Sequence, residues 1–241
     1  MKKTKLLFLL FFPLSTFCST LDSLKVVDTV KASKWNLGFS FSPDYCYRTL
    51  KSDAAIADLK EIRDTLEVPK FGYTFGVNII YCFRKKIVLE TGILFSDKGE
   101  RTKKLTFQNL PAGQSPNYYA YNFHYYYLDI PLKVDYYLLT KKIKMYLTAG
   151  LSCNILLSQK TTLREGHDNT EVERNASNVD TKLNRINVAV IFGAGLNYKV
   201  NEKLDLKVEP IYSRSITPIN GAPIKSYLYS FGLNLGITHK F

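Results

Sequence analysis

Past its first twenty residues the chain has no apolar run of eighteen, so none of it is built to cross a bilayer as a helix. It is also poor in the residues that make reactive centres. The four cysteines show no C-x-x-C spacing of the kind that holds zinc. The three histidines, His124, His167 and His239, fall in separate elements, and no G-x-S-x-G nucleophile motif accompanies them. The expectation is a non-enzymatic chain with no catalytic, cofactor-binding or metal site. His124 is the histidine whose replacement would test for catalysis.

What the chain does have begins at residue 1. Lys2, Lys3 and Lys5 form a positive start, and Leu6 to Leu14 is an apolar run broken only by Pro13. Ser15, Thr16, Ser19 and Thr20 follow. That order is a signal peptide's, expected over residues 1–20 with cleavage between Phe17 and Thr20. Cys18 offers a lipoprotein alternative, which bulky Phe17 disfavours. An N-terminal periplasmic segment (21–34) and one domain (35–241) would remain. Exported cysteines invite a disulfide reading. Cys46, Cys82 and Cys153 are far apart in strand-like stretches, so free thiols, buried or lipid-facing, are expected. The formal charge is +12, and the chain stays clearly basic without its three leader lysines. In an exported protein such charge meets acidic lipid or lipopolysaccharide, not nucleic acid.

Aromatics are plentiful, with 17 Tyr and 15 Phe, and they alternate with polar residues. Trp35, Leu37, Phe39 and Phe41 form one such row; Phe71, Tyr73, Phe75, Val77, Ile79, Tyr81 and Phe83 form the next. A period of two means strands with one apolar face. Six further rows follow: Ile87–Phe95, Leu128–Leu138, Met145–Leu157, Ile186–Val200, Leu204–Tyr212 and Tyr229–Phe241. Three of the seven connections are short, at Arg84–Lys86, Leu139–Lys142 and Asn201–Glu202, and the other four are long, at roughly 44–70, 99–122, 161–184 and 217–226. Short turns on one side and long loops on the other are the layout of an outer-membrane barrel. The expected fold is an all-β, eight-stranded antiparallel up-and-down transmembrane barrel with short periplasmic turns and long external loops.

In such a barrel the apolar faces meet lipid and the polar faces line the lumen, the reverse of a protein in water. Glu90, Asp129, Lys133, Asp135, Lys144, Asp205, Lys207 and Glu209 would then form a lumen charge network, paired for structural reasons because eight strands leave an interior just wide enough for side chains. Glycines crowd the same face at 38, 76, 92, 150, 193, 195, 232 and 236, where bulk would be least tolerable. Pro131 and Pro210 lack a ladder donor, so irregular pairing and local bulges are expected there. A soluble lipocalin-like barrel with its apolar faces inward is the rival reading, and a lipid-modifying enzyme a second.

Several pieces resemble a known family: Gly92-Ile-Leu-Phe-Ser-Asp-Lys-Gly99, Tyr127-Leu-Asp-Ile-Pro-Leu-Lys133, Ala149-Gly-Leu151, Phe192-Gly-Ala-Gly-Leu196 and the closing Phe231 to Phe241. They are similar to the PorT-like outer-membrane β-barrel family of Bacteroidetes. The resemblance implies insertion by the outer-membrane assembly machinery, with terminal Phe241 as part of the assembly signal, and makes Pro131 an expected feature. Most members of that family have no assigned activity; no cofactor is expected, and a monomer is expected.

Outside the strands, Ile56, Leu59, Ile62 and Leu66 have near-helical spacing, which predicts an amphipathic helix within Ser52–Glu67, resting on the membrane or capping the barrel. The second loop carries Tyr118, Tyr119, Tyr121, Phe123, Tyr125, Tyr126 and Tyr127 with Lys103 and Lys104 nearby, read as an aromatic girdle or a sugar-binding surface.

Overall fold

The computed structural model describes residues 34–106, 117–139, 142–167, 170–175 and 183–241. The expected leader, Cys18 and the Asn175-Ala176-Ser177 sequon pattern fall wholly or partly outside them. Eight strands form the wall: β1 (Trp35–Lys51), β2 (Glu67–Arg84), β3 (Ile87–Lys98), β4 (Tyr118–Tyr137), β5 (Ile143–His167), β6 (Ile186–Lys199), β7 (Leu204–Ser215) and β8 (Lys225–Lys240). Each pairs antiparallel with its neighbour in sequence. β1 also pairs β8 from Asn36↔Lys240 to Lys51↔Lys225, which closes the ring. Closure leaves no unpaired edge, which the bilayer interior demands because no water is there to bond it.

The two faces have the polarity that lipid requires. Along β1, Trp35, Leu37, Phe39 and Phe41 are exposed, while Asn36, Ser40, Ser42 and Asp44 are buried. The same inversion runs around the ring: Ile130, Leu132, Val134 and Tyr136 point out of β4, and Asp129, Lys133 and Asp135 point in. The lipocalin-like alternative, which needs apolar faces inward, is thereby overturned. The lumen is filled in layers. Tyr137, Tyr146 and Val88 pack together near the short turns, and Tyr127, Ile219 and Leu228 pack at the opposite end. Charged residues occupy the middle.

The strands run well past the rows that alternation marks. β1 extends to Lys51, β2 begins at Glu67, β4 begins at Tyr118 and β5 ends at His167. Much of the sequence expected as external loop is therefore barrel wall. The tyrosine-rich stretch is strand, paired with β5 from Tyr118↔Gly166 to Tyr127↔Leu156. Tyrosines at both parities conceal its period of two. Three short strands add to this end: Glu100–Thr102 on β2 and β4, Leu105–Thr106 on β4, and Thr170–Asn175 on β5.

Pairing is irregular at both prolines, but without the expected bulges. Opposite Pro131 the β3–β4 ladder stops at Thr91↔Leu132 and resumes at Leu94↔Asp129 in the same register. Opposite Pro210 the β6–β7 ladder stops at Val208↔Leu196 and resumes at Ile211↔Gly193. Each proline interrupts the ladder on one side only and still pairs on the other, Pro131 with Ser152 and Pro210 with Leu233. The Thr91 hydroxyl donates to the Pro131 carbonyl at 2.8 Å, satisfying an acceptor in the gap. The register shifts lie instead at Cys82/Arg84 and Tyr126/Tyr127.

Candidate functional site: a charged lumen beneath an ion-paired rim

Period-two geometry sends alternate residues of every strand inward, so charged residues from different strands meet in the lumen. The structure sorts them into three levels. In the middle, Lys133 of β4 contacts Glu90 of β3 at 2.8 Å and Glu209 of β7 at 3.2 Å. Lys207 of β7 contacts Glu90 at 2.6 Å and Glu209 at 3.1 Å. Asn234 of β8 adds a donor to Glu209 at 2.8 Å. All four charged side chains are buried, so the cluster closes the bore with two charges of each sign.

Towards the external end, Asp129 accepts from Lys98 at 2.7 Å and Ser96 at 2.8 Å, while Asp44 accepts from Ser42 and Thr74. Towards the turns, Asp205 accepts from Lys240 at 2.5 Å and faces Lys144 at 3.7 Å. Asp135 is buried, and its Oδ1 has no hydrogen-bond partner. The sequence therefore names eight lumen charges, of which four join in the middle cluster. Lys98 and Lys240 complete the pairings at the two ends. Both could have been found: Lys98 continues the inward row Glu90, Gly92, Leu94, Ser96, and Lys240 continues Ser230 to Thr238.

Two cavities flank the middle cluster. One, of about 70 Å³, is lined by Ser40, Asp44, Asn78, Lys98, Asp129 and Glu90 among others. The second, of about 50 Å³, is lined by Glu90, Asp135, Lys144, Asp205, Lys207 and Lys240 among others. Each has room for a few water molecules. Glu90 lines both, so the cluster is the partition between them.

The external rim has its own ion pairs. The predicted helix is present as α1 (Ala57–Leu66), preceded by a 3-10 turn (Ala54–Ile56). None of its residues is buried, and Leu59 and Ile62 are exposed, so its apolar face does not cap the barrel. Ion pairs hold it. Buried Arg48 of β1 bonds Glu67 and reaches Asp64 at 2.7 Å, and Arg63 reaches Glu67 at 2.8 Å. Nearby, Glu100 pairs with Pro69 of β2, two residues beyond Phe71, which is 82% exposed and marks the lipid-facing band. Burial, with Glu67 adding, pushes the Glu100 carboxyl up to about 7, while Arg48 and the Tyr125 hydroxyl, 3.0 Å away, oppose the rise.

His124 lies beside Asp97, with Nδ1 2.9 Å from Oδ2, and beside the Lys70 ammonium at 2.8 Å; Lys70 also pairs Asp97 at 2.7 Å. This cluster was not legible, since Lys70 and Asp97 sit where the sequence suggests a loop edge. His239 stacks edge-on with Phe241, and His167 ends β5, so the three histidines stand apart. Among the girdle tyrosines, Tyr118 lies 3.9 Å under the Lys104 ammonium. Cys46, Cys82 and Cys153 are free thiols, Cys46 buried at the external end of the lumen. Among the described residues no group of three His, Cys, Asp or Glu side chains is placed to hold a metal ion.

A protein-family model described as outer membrane protein beta-barrel domain matches residues 24–221. No curated protein matches the chain. Among solved structures, the chain is similar to neisserial surface protein A, at 16% identity over 87% of this chain and 99% of that one, with a TM-score of 0.44. It is similar to the outer membrane protein OprG of Pseudomonas aeruginosa at 16% identity, over 87% and 97% of the two chains, TM-score 0.44. A major outer membrane protein of Thermus thermophilus matches at 10% identity over 87% and 100%, TM-score 0.44.

Proposed function

The chain belongs to the outer membrane protein beta-barrel domain family, and from that premise we propose that it is a non-enzymatic, monomeric barrel of the bacterial outer membrane whose external end serves binding or envelope integrity. The observation that carries this reading is the cross-lumen cluster of Glu90, Lys133, Lys207 and Glu209. Its charges satisfy one another, which favours a structural network over a conducting or reacting one. The eight named lumen charges are structural, and the ion-paired ones among them act as struts of the wall.

The finer placement follows the sequence motifs. Leader removal between Phe17 and Thr20 delivers the chain to the envelope, and terminal Phe241, 69% exposed, serves the assembly machinery as its signal. The PorT-like branch is the family assignment that the Leu128-Asp-Ile-Pro-Leu132 piece favours. Outer-membrane lipid and lipopolysaccharide are the partners; the Lys104–Tyr118 contact is the kind of surface that takes a sugar or phosphate.

The test is membrane fractionation followed by gel mobility of unheated and boiled protein, then conductance in a planar bilayer. Recovery in the outer membrane, a heat-modifiable band and no steady conductance are expected. Recovery in the soluble periplasm, or a stable open channel, would overturn the proposal.

A further inference from the structure

We infer that the turn end of the barrel binds the headgroups of anionic phospholipids in the periplasmic leaflet. The chain's basic charge is not evenly spread. The external β1–β2 excursion carries Arg48, Lys51, Lys60, Arg63 and Lys70, but these are balanced by Asp53, Asp58, Glu61, Asp64 and Glu67. The turn end has no such balance. Arg84, Lys85 and Lys86 form the β2–β3 turn, and Lys34 lies beside it, its carbonyl accepting from Cys82 at 2.8 Å. Lys142, Lys199 and Lys203 occupy the other two turns. All seven are exposed, and among the described residues Glu202 is the one exposed acidic side chain between them. Asp205 and Asp135, the carboxylates at this end of the lumen, are buried, and Asp205 is held by Lys240 and Lys144.

Backbone bonds set these cations side by side. The Lys199 N–H donates to the Lys142 carbonyl at 3.1 Å, and the Lys240 N–H donates to the Lys203 carbonyl at 2.8 Å. The cations therefore form a belt around one end of the ring. Their height relative to the membrane selects the partner. The Arg84 guanidinium lies 5.5 Å from the Phe83 ring centre and the Lys142 ammonium 5.4 Å from that of Tyr198. Phe83 and Tyr198 are both exposed on the outward, lipid-facing surface. Cations resting on such rings sit at the polar boundary of the bilayer, where phosphates of lipid headgroups lie, and do not project towards the cell wall. Several cations on one belt favour lipids with net negative charge over zwitterionic ones, and salt weakens that preference.

The inference rests on the chain being an outer-membrane barrel, and the two fail differently. The mature chain would be placed in bilayers of phosphatidylcholine containing trace spin-labelled phosphatidylglycerol or phosphatidylcholine. The fraction of each label immobilised at the protein gives the headgroup preference. A preference of at least about twofold for phosphatidylglycerol at low salt, fading as salt rises, is expected. A variant carrying Lys85→Gln, Lys86→Gln, Lys142→Gln and Lys203→Gln would lose it while remaining heat-modifiable. A control with Lys51→Gln and Lys225→Gln, paired with each other at the external end, would keep it. Equal immobilisation of both labels by the unaltered chain overturns the inference, as does a preference that survives the fourfold variant. So does loss of the preference to inorganic phosphate but not to chloride at equal ionic strength, which would make the belt a site for free phosphate. Retention on purified cell wall without headgroup preference would assign it to that partner instead. A chain that fails to insert at all speaks against the barrel reading itself.

Discussion

Lys207 donates to Glu90 at 2.6 Å although their strands, β7 and β3, stand on opposite sides of the eight-strand ring. The bond is a strut across the bore, and Lys133 adds a second from β4 to Glu209 on β7. Four buried charges in one cluster make each one depend on the others.

Replacing Lys207 with Met is therefore expected to be costly, since Glu90 and Glu209 would share Lys133 alone. A loss of ~3–5 kcal/mol is expected for breaking a buried pair from one side. The double variant Glu90→Gln with Lys207→Met leaves Lys133 and Glu209 matched and should recover most of it. Urea unfolding in lipid vesicles, followed by the fluorescence of Trp35, the chain's single tryptophan, reads both. Equal losses in the single and double variants would show that the pairing is not what matters.

The glycines facing the lumen give a steric counterpart. A Cβ built on Gly195 would lie 2.1 Å from the Tyr146 ring, and that ring is 1% exposed and packed against Tyr137 at 5.2 Å. Gly195→Ala should cost ~1–3 kcal/mol, the usual range for overpacking. Gly221→Ala, with nothing within 4 Å of the new atom, is the matched control and should change nothing. An unfolding midpoint for Gly195→Ala equal to the control's would count against a tightly filled lumen.

Much of this was legible because one physical rule, a side-chain period of two, governs every strand. It placed Asp129 and Lys133 inward, Leu132 and Val134 outward, and all eight of the singled-out glycines on the lumen side. It lost force where both parities carry the same chemistry. Tyr118 to Tyr127 reads as a featureless aromatic stretch, yet it is strand, with Tyr127 fully buried and Tyr126 half-buried. Pairings across the bore were also invisible, because Glu90 and Lys207 are 117 residues apart and only ring closure brings them together. The Lys70–Asp97–His124 cluster depends on where the β2–β3 ladder gives way to the short strand after Gly99, whose φ of 141° the sequence does not announce.

Arg48 is the tether of α1. Its side chain is fully buried, yet its partners Glu67 and Asp64 lie at and just before the helix exit. Arg48→Ala leaves Glu67 without its main partner and should free the segment between β1 and β2. Trypsin cleavage at Lys60 or Arg63 should then rise about tenfold for each 1.4 kcal/mol of tethering lost. Arg48→Lys should lie between the two, because an ammonium cannot reproduce the guanidinium fork. Unchanged cleavage in Arg48→Ala would mean that the helix is held by something other than this pair.

Glu100 makes the external end sensitive to pH. Its folded carboxyl titrates at about 7 against an ordinary value of 4.5, so the folded chain holds a proton that the unfolded chain has released. Stability from this group is then fully present below pH 4.5 and is lost as pH rises through 7, since over that window the folded state binds the extra proton. The whole effect is ~3 kcal/mol from the size of the shift. Arg48 and the Tyr125 hydroxyl, which favour the charged form, set its upper limit. Unfolding midpoints measured from pH 4.5 to above 7 should therefore fall in the unaltered chain, and the fall should be smaller in Glu100→Gln, which cannot ionise. Protection of the Glu100–Thr102 backbone against hydrogen exchange should weaken over the same window, because the charged form is disfavoured where Glu100 is buried. If Glu100→Gln keeps the full pH slope, the loss belongs to another group and Glu100 is not the residue that senses pH.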